Sequence, residues 1–364
     1  MRLRHLVTFV LIAAAQFGIF EVGLRTWGSS EAAPGFQGLF ETDAAIGYRL
    51  KPHARTRFTT SEFSAEIAVN GAGLRDDEEI GPKPRDERRI VLLGDSLVLS
   101  VQVPFRETFG ELLEQRLNSR GSALRYRVIN AGVQGYGPIE EQLFFRSIVG
   151  NIQPDLVLPV VFVGNDAEEA VGSQQKLDPN RRTSEAVVDS LLTRMRRLVR
   201  RSMVLQILRL RALAVIDRLS PSVAPPEPPL QSYAARPAPR IAEGLAITRR
   251  SMHDIEQTAS GAGAKAAIVL MPARFQVDDA DYGRLKEIVA GTGGNLVRDA
   301  ASARFQEALA PLGMPMADLL PALRAALPGP DLFYQETVHL TPRGHTVVAA
   351  ALDRFIEEQG LLPR

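Results

Sequence analysis

The run Ile90-Val91-Leu92-Leu93-Gly94-Asp95-Ser96 decides how this chain is read. Apolar residues without polar alternation suit a strand buried on both faces, and such strands belong to parallel sheets covered by helices. Gly94 and Asp95 end the run, so Ser96 lands just past the strand's carboxyl end. Runs of the same kind recur at Arg127–Asn130, Leu156–Val163 and Ala266–Met271, with a weaker one at Met314–Ala317. Helical patterns lie between them. Phe109, Leu112, Leu113 and Leu117 share one face, and Gly121 is the stop. The last helix has Thr341 as N-cap, Pro342 at its first position, an apolar face through Val347, Val348, Ala351, Leu352, Phe355 and Ile356, and Gly360 as its end. This alternation predicts a three-layer α/β/α sandwich around a mostly parallel five-stranded sheet.

In an open parallel sheet, ligands bind beyond the carboxyl ends of the strands. The residues there are Gly94-Asp95-Ser96, Asn130-Ala131-Gly132 and Gly164-Asn165-Asp166, with Glu336-Thr337-Val338-His339 just before the last helix. A serine hydroxyl is a weak nucleophile at neutral pH and needs a base, which His339 can supply. A carboxylate must orient the imidazole. Glu336 is the first candidate, and Asp331 or a backbone carbonyl is the alternative. The tetrahedral oxyanion needs fixed donors, and the backbone N–H groups of Ser96 and Gly132 with the Asn165 amide would supply them. A Gly-Asp-Ser triplet by itself is usually a turn in which the aspartate bonds the backbone, a reading the other three loops argue against here, while Asp166 reads as structural. His345 reads as a packing or surface residue, and His53 and His253 carry no role.

Taken together, these positions resemble the SGNH, or GDSL-type, hydrolases. The four residues that name the family fall on Ser96, Gly132, Asn165 and His339. The blocks are Val91–Ser96, Ile129–Gly137, Val163–Asp166 and Glu336–Thr341, the last followed by Gly344-His345. Upstream, Asn70-Gly71-Ala72-Gly73-Leu74-Arg75-Asp76 is similar to membrane-anchored bacterial members. The resemblance covers residues 40–175 and 265–357. It implies an exported serine esterase or acyl hydrolase, with Ser96, His339 and Glu336 as triad and Ser96, Gly132 and Asn165 as oxyanion hole. It implies no cofactor and no metal. Its substrates would be esters, including O-acetyl groups on envelope polysaccharide, or lipid esters. An O-acyltransferase with the same residues and a non-catalytic envelope protein of the same fold are the rival readings. Two departures stand out. The family usually has Asp where Glu336 stands, and Leu97-Val98-Leu99-Ser100 replaces a stretch that often holds an aromatic and a glycine.

Competing motifs fail on context. Gly132, Gly135 and Gly137 lack the dinucleotide-binding spacing, there is no P-loop, and Ser96 is not in a Gly-x-Ser-x-Gly elbow. The 364 residues carry 43 basic and 42 acidic side chains, and a net charge of +1 gives no pull toward nucleic acid. The absence of cysteine excludes disulfides and thiolate chemistry.

Residues 1–28 read as a signal anchor or signal peptide. Leu6–Phe20 is uncharged for fifteen residues behind Arg2 and Arg4. That run spans only roughly 22 Å as a helix, so crossing a bilayer requires extension to Trp27. An uncleaved anchor would place the catalytic domain in the periplasm, and cleavage near Ala13–Ala15 would release it. Residues 29–88 read as a strand and loop extension, and 89–364 as the main domain with a helical, Pro-rich insertion at 180–240. Within the insertion, Ser184–Leu219 is rich in arginine and Pro221–Pro239 in proline. That basic segment reads as a solvated surface helix, with a membrane-surface or active-site cover as the alternative.

Overall fold

A computed structural model describes residues 38–177, 230–291, 294–329 and 331–363. The expected anchor at 1–28, the Arg-rich segment and residues 221–229 of the Pro-rich stretch lie outside these residues. No helix among the described residues is long and apolar enough to cross a membrane.

The described residues begin with two antiparallel hairpins, β1 (Phe40–Asp43) with β2 (Gly47–Leu50) and β3 (Arg55–Thr59) with β4 (Ser64–Ala68). The central sheet comes next. Its strands are β5 (Glu87–Gly94), β6 (Arg125–Gly132), β7 (Leu156–Phe162), the interrupted pair β8 (Lys265–Ala266) and β9 (Ile268–Met271), and β10 (Met316–Asp318). Their spatial order is β10-β9-β7-β5-β6, with β8 also on β7, and every pairing is parallel. The predicted architecture is therefore present. Strand β5 starts three residues before Ile90, because Arg89 sits at 1% exposure with its charge matched by Glu87 at 2.6 Å and by the carbonyls of Ile152 and Gly81. A buried pair of this kind reads as surface in a sequence.

The α-helices among the described residues are α1 (Ser96–Leu99), α2 (Phe109–Asn118), α3 (Pro138–Ile152), α4 (Asp166–Leu177), α5 (Pro239–Gly261), α6 (Arg274–Val277), α7 (Asp279–Gly291), α8 (Ala300–Leu309), α9 (Leu320–Ala325) and α10 (Pro342–Glu358). Thr341 caps α10 by accepting from the Gly344 N–H, as its sequence signature predicts. Strands β5 and β7 show no alternation: every apolar residue in them is buried.

The hairpins are not a separate layer. Leu39, Leu50, Ile67 and Leu74 join the same apolar core as Ile90–Leu93 and Leu156–Val161. The link is also polar. Tyr48 Oη donates to the Gln134 carbonyl at 2.7 Å, and Tyr136 Oη donates to the Tyr48 carbonyl at 2.5 Å. The first hairpin thereby pins the loop that leaves β6. Arg75, fully buried, donates to the carbonyls of Leu99 and Ser100 at 2.6 and 2.5 Å and of Val103 at 2.7 Å. This is the work of the Asn70–Asp76 block: it fixes the left-handed turn at Ser100 that ends the short helix opened by Ser96.

Candidate active site

Ser96 opens α1 directly after β5, with Asp95 as N-cap accepting from the Leu97 N–H at 2.8 Å. The strand end aims the serine at the sheet's carboxyl edge, and the short helix holds it there. His339 arrives from the loop before α10. Its Nε2 lies 2.9 Å from Ser96 Oγ. Residues 243 apart in sequence are thus within proton-transfer distance. For Nε2 to accept, the ring proton must sit on Nδ1.

That nitrogen has no partner. His339 Nδ1 is buried and makes no hydrogen bond. The triad expected with Glu336 is not formed. The Glu336 carboxylate accepts from Ser61 Oγ at 2.9 Å instead, in the turn between β3 and β4. Asp331 is engaged by Gln335 Nε2 at 2.8 Å. Neither acid orients the histidine, so the site is a Ser–His dyad. The physical reason lies in the hairpin turn. Glu62 accepts from the N–H groups of Gln335 and Glu336 at 2.7 and 2.9 Å, which draws that corner of the loop, with the Glu336 side chain, toward the hairpin.

The loop itself is held from two sides. While Glu62 takes its N–H groups, Arg274 Nη1 donates to the carbonyls of Tyr334 and Gln335, each at 2.7 Å. Arg274 is in turn paired with Asp281, which also holds Arg284. Phe63 packs on Tyr334 with ring centroids 5.1 Å apart. This backbone clamp fixes the loop that carries His339. Sequence reasoning missed Glu62 and Arg274, since neither stands in a motif with the histidine.

Burial without a counter-charge lowers the His339 pKa to about 4. The neutral form, the one able to act as base, then persists from alkaline pH down to about 4. We expect an NMR titration of the imidazole resonances to show a midpoint near 4, unmoved in Glu336→Gln. A midpoint above 6.5 that falls in Glu336→Gln would restore the carboxylate to the site.

The oxyanion donors are only partly as expected. The Ser96 N–H stands at the first position of α1, where no intrahelical acceptor exists. The Asn165 amide donates one Nδ2 hydrogen to Glu169 Oε1 at 2.7 Å, one turn along. Its carbonyl oxygen Oδ1 is buried without a partner. Gly132 requires correction: its N–H donates to Asn130 Oδ1 at 3.0 Å. Asn130 Nδ2 then donates to the Val98 carbonyl at 2.6 Å, tying β6 to α1. What Gly132 supplies is space, because a Cβ there would collide with the Leu99 nitrogen and Val98.

Beneath these loops lies a cluster of buried carboxyls. Burial raises Asp95 to about 6 and Glu169 to about 7, and pushes Glu141 and Asp166 well above the usual carboxylate range. Mutual repulsion reinforces this. Asp166 accepts from the Phe162 N–H at 2.8 Å, which is the structural role expected of it. Both Glu141 oxygens, Asp166 Oδ1 and Glu169 Oε2 are unpartnered. Protonated carboxyls fit such a site, since ionised Glu141 or Asp166 would be a buried charge surrounded by other carboxyls. No group of side chains among the described residues is arranged to hold a metal ion.

His345 is a core residue. It is 1% exposed, stacks on Phe109 at 5.7 Å, and its Nδ1 accepts from the Phe109 N–H at 3.2 Å. Leu97, Val98 and Leu99 are buried as well, so the departure after the serine fills the core beneath α1.

No protein-family model matches the chain. No curated protein matches it. Among solved structures it is similar to TesA, at 14% identity and a TM-score of 0.42, over 76% of this chain and all of that one. A lipase/acylhydrolase from Enterococcus faecalis is 15% identical with a TM-score of 0.41, over 76% of this chain and 98% of its own. A catalytic mutant of Axe2, an acetylxylan esterase from Geobacillus stearothermophilus, is 12% identical with a TM-score of 0.39, over 76% and 97%. Likeness at this level decides nothing about function, which rests on the geometry of Ser96, His339 and Asn165.

Proposed function

We propose that this chain is a serine ester hydrolase of the SGNH type, exported and held at the membrane by its N-terminal segment. The observation that carries the reading is the 2.9 Å contact between Ser96 Oγ and His339 Nε2 at the sheet's carboxyl edge. Ser96 Oγ attacks the ester carbonyl while Nε2 takes its proton. The oxyanion forms against the Ser96 N–H and the Asn165 amide. The C–O bond of the ester then breaks, and His339 returns the proton to the departing alkoxide. An acyl-serine remains. Water attacks it, with His339 again as base, and releases the acid.

Export rests on the basic, then apolar, first 28 residues. Substrates are acylated envelope polysaccharide or lipid esters. The orphaned Nδ1 of His339 favours a second reading, a fold retained for binding alone. Against it stand the aligned serine and histidine, which binding does not require. Transfer of the acyl group to a sugar hydroxyl shares every step up to the acyl-serine. Purified protein incubated with a chromogenic acetyl ester, with and without polysaccharide, separates these readings. Acetate release that does not depend on the sugar supports hydrolysis. Acetyl mass gained by the polysaccharide supports transfer, and no turnover in either mixture supports the binding reading.

A further inference from the structure

A pocket of about 530 Å³ lies at the carboxyl ends of β7 and β9, lined in part by Asn165 and by Thr337 and Val338 of the loop that carries His339. Its walls include Phe162, Phe275, Leu285, Ile288, Val289 and Val338. Gly164 and Asn165 contribute to its lining from the loop after β7, and Thr337 and Val338 from the residues just before His339. Large apolar side chains are seldom left exposed in one place without a ligand. Among the described residues, three such side chains are exposed, and two of them, Ile288 at 59% and Val338 at 46%, line this pocket. Its size falls within the range of small-molecule sites, roughly 300–1,000 Å³.

We propose that this pocket receives the acyl chain of the substrate, and that the favoured esters carry unbranched apolar acyl groups of medium length rather than acetyl. The inference rests on the hydrolase reading, because the position of Asn165 fixes the direction. An amide that holds the oxyanion touches the carbonyl carbon's own oxygen, so the chain attached to that carbon leaves along the wall Asn165 shares with the pocket. The alcohol side is turned toward His339, which protonates it. An acetyl group would leave the apolar walls in water. A longer chain covers Ile288 and Val338.

The test is the rate constant kcat/KM across p-nitrophenyl esters from acetyl to decanoyl. Each methylene buried raises it by about fourfold at most. The expected profile climbs from acetyl to an optimum near hexanoyl or octanoyl. Ile288→Asp should lower the octanoyl-to-acetyl ratio at least tenfold, and Ile288→Leu should keep it. Ile288 is exposed, so neither change threatens folding. If acetyl and octanoyl esters react alike, the pocket inference is overturned while the hydrolase reading stands. If neither reacts, the hydrolase reading fails and this inference falls with it. If the ratio is high but indifferent to Ile288→Asp, the chain lies elsewhere and the assignment of the pocket is wrong.

Discussion

Ser96→Ala is expected to lower kcat by roughly 10⁴- to 10⁶-fold, the loss typical of removing a nucleophile from a site whose binding groups remain. His339→Ala should lose a comparable amount, and the double variant little more, because the two side chains perform one proton transfer together. Stability should hardly change. The Ser96 hydroxyl makes one side-chain hydrogen bond, to His339, and such a bond contributes about 1 kcal/mol. Single-turnover kinetics on a chromogenic ester, with thermal unfolding alongside, reads both quantities. A large activity loss with an unchanged Tm supports the dyad. Retained turnover in Ser96→Ala would move the nucleophile elsewhere.

The second large effect is expected at Asn165. Removing one oxyanion donor costs about 3 kcal/mol of transition-state stabilisation, or roughly 10²- to 10³-fold in kcat. This site has reason to sit at the upper end. The Gly132 N–H is already given to Asn130, so Asn165 and the Ser96 N–H share what three donors share in the expected arrangement. Asn165→Ala should therefore reduce kcat by several hundredfold with KM nearly constant, since the donor acts on charge that exists only in the transition state. A rise in KM with kcat preserved would assign Asn165 to ground-state binding. Glu169 positions the same side chain by accepting one of its amide hydrogens.

Much of the fold is legible in the sequence. The apolar runs at Ile90, Leu156 and Ala266 name buried parallel strands, because only a doubly covered strand can dispense with alternation. Ser96 and His339 are legible because each stands next to an element boundary that the pattern itself marks. Glu336 is misread for a physical reason. Spacing along the chain says which residues are near His339, but not which way a loop side chain turns. That is settled by Ser61 and Glu62, 275 and 274 residues away. Gly132 is misread in the same way, since its N–H goes to an asparagine two residues back. The carboxyl cluster of Asp95, Glu141, Asp166 and Glu169 is invisible in the sequence because its members come from three different elements and meet only in the fold.

The central claim is that Ser96 is a nucleophile activated by His339. A fluorophosphonate probe, with peptide mass spectrometry of the product, tests it without any knowledge of the substrate. The account predicts one adduct, on the peptide bearing Ser96, formed by the folded protein, lost after denaturation and strongly slowed in His339→Ala. No adduct at Ser96 in folded protein, or labelling that is indifferent to His339, would contradict it.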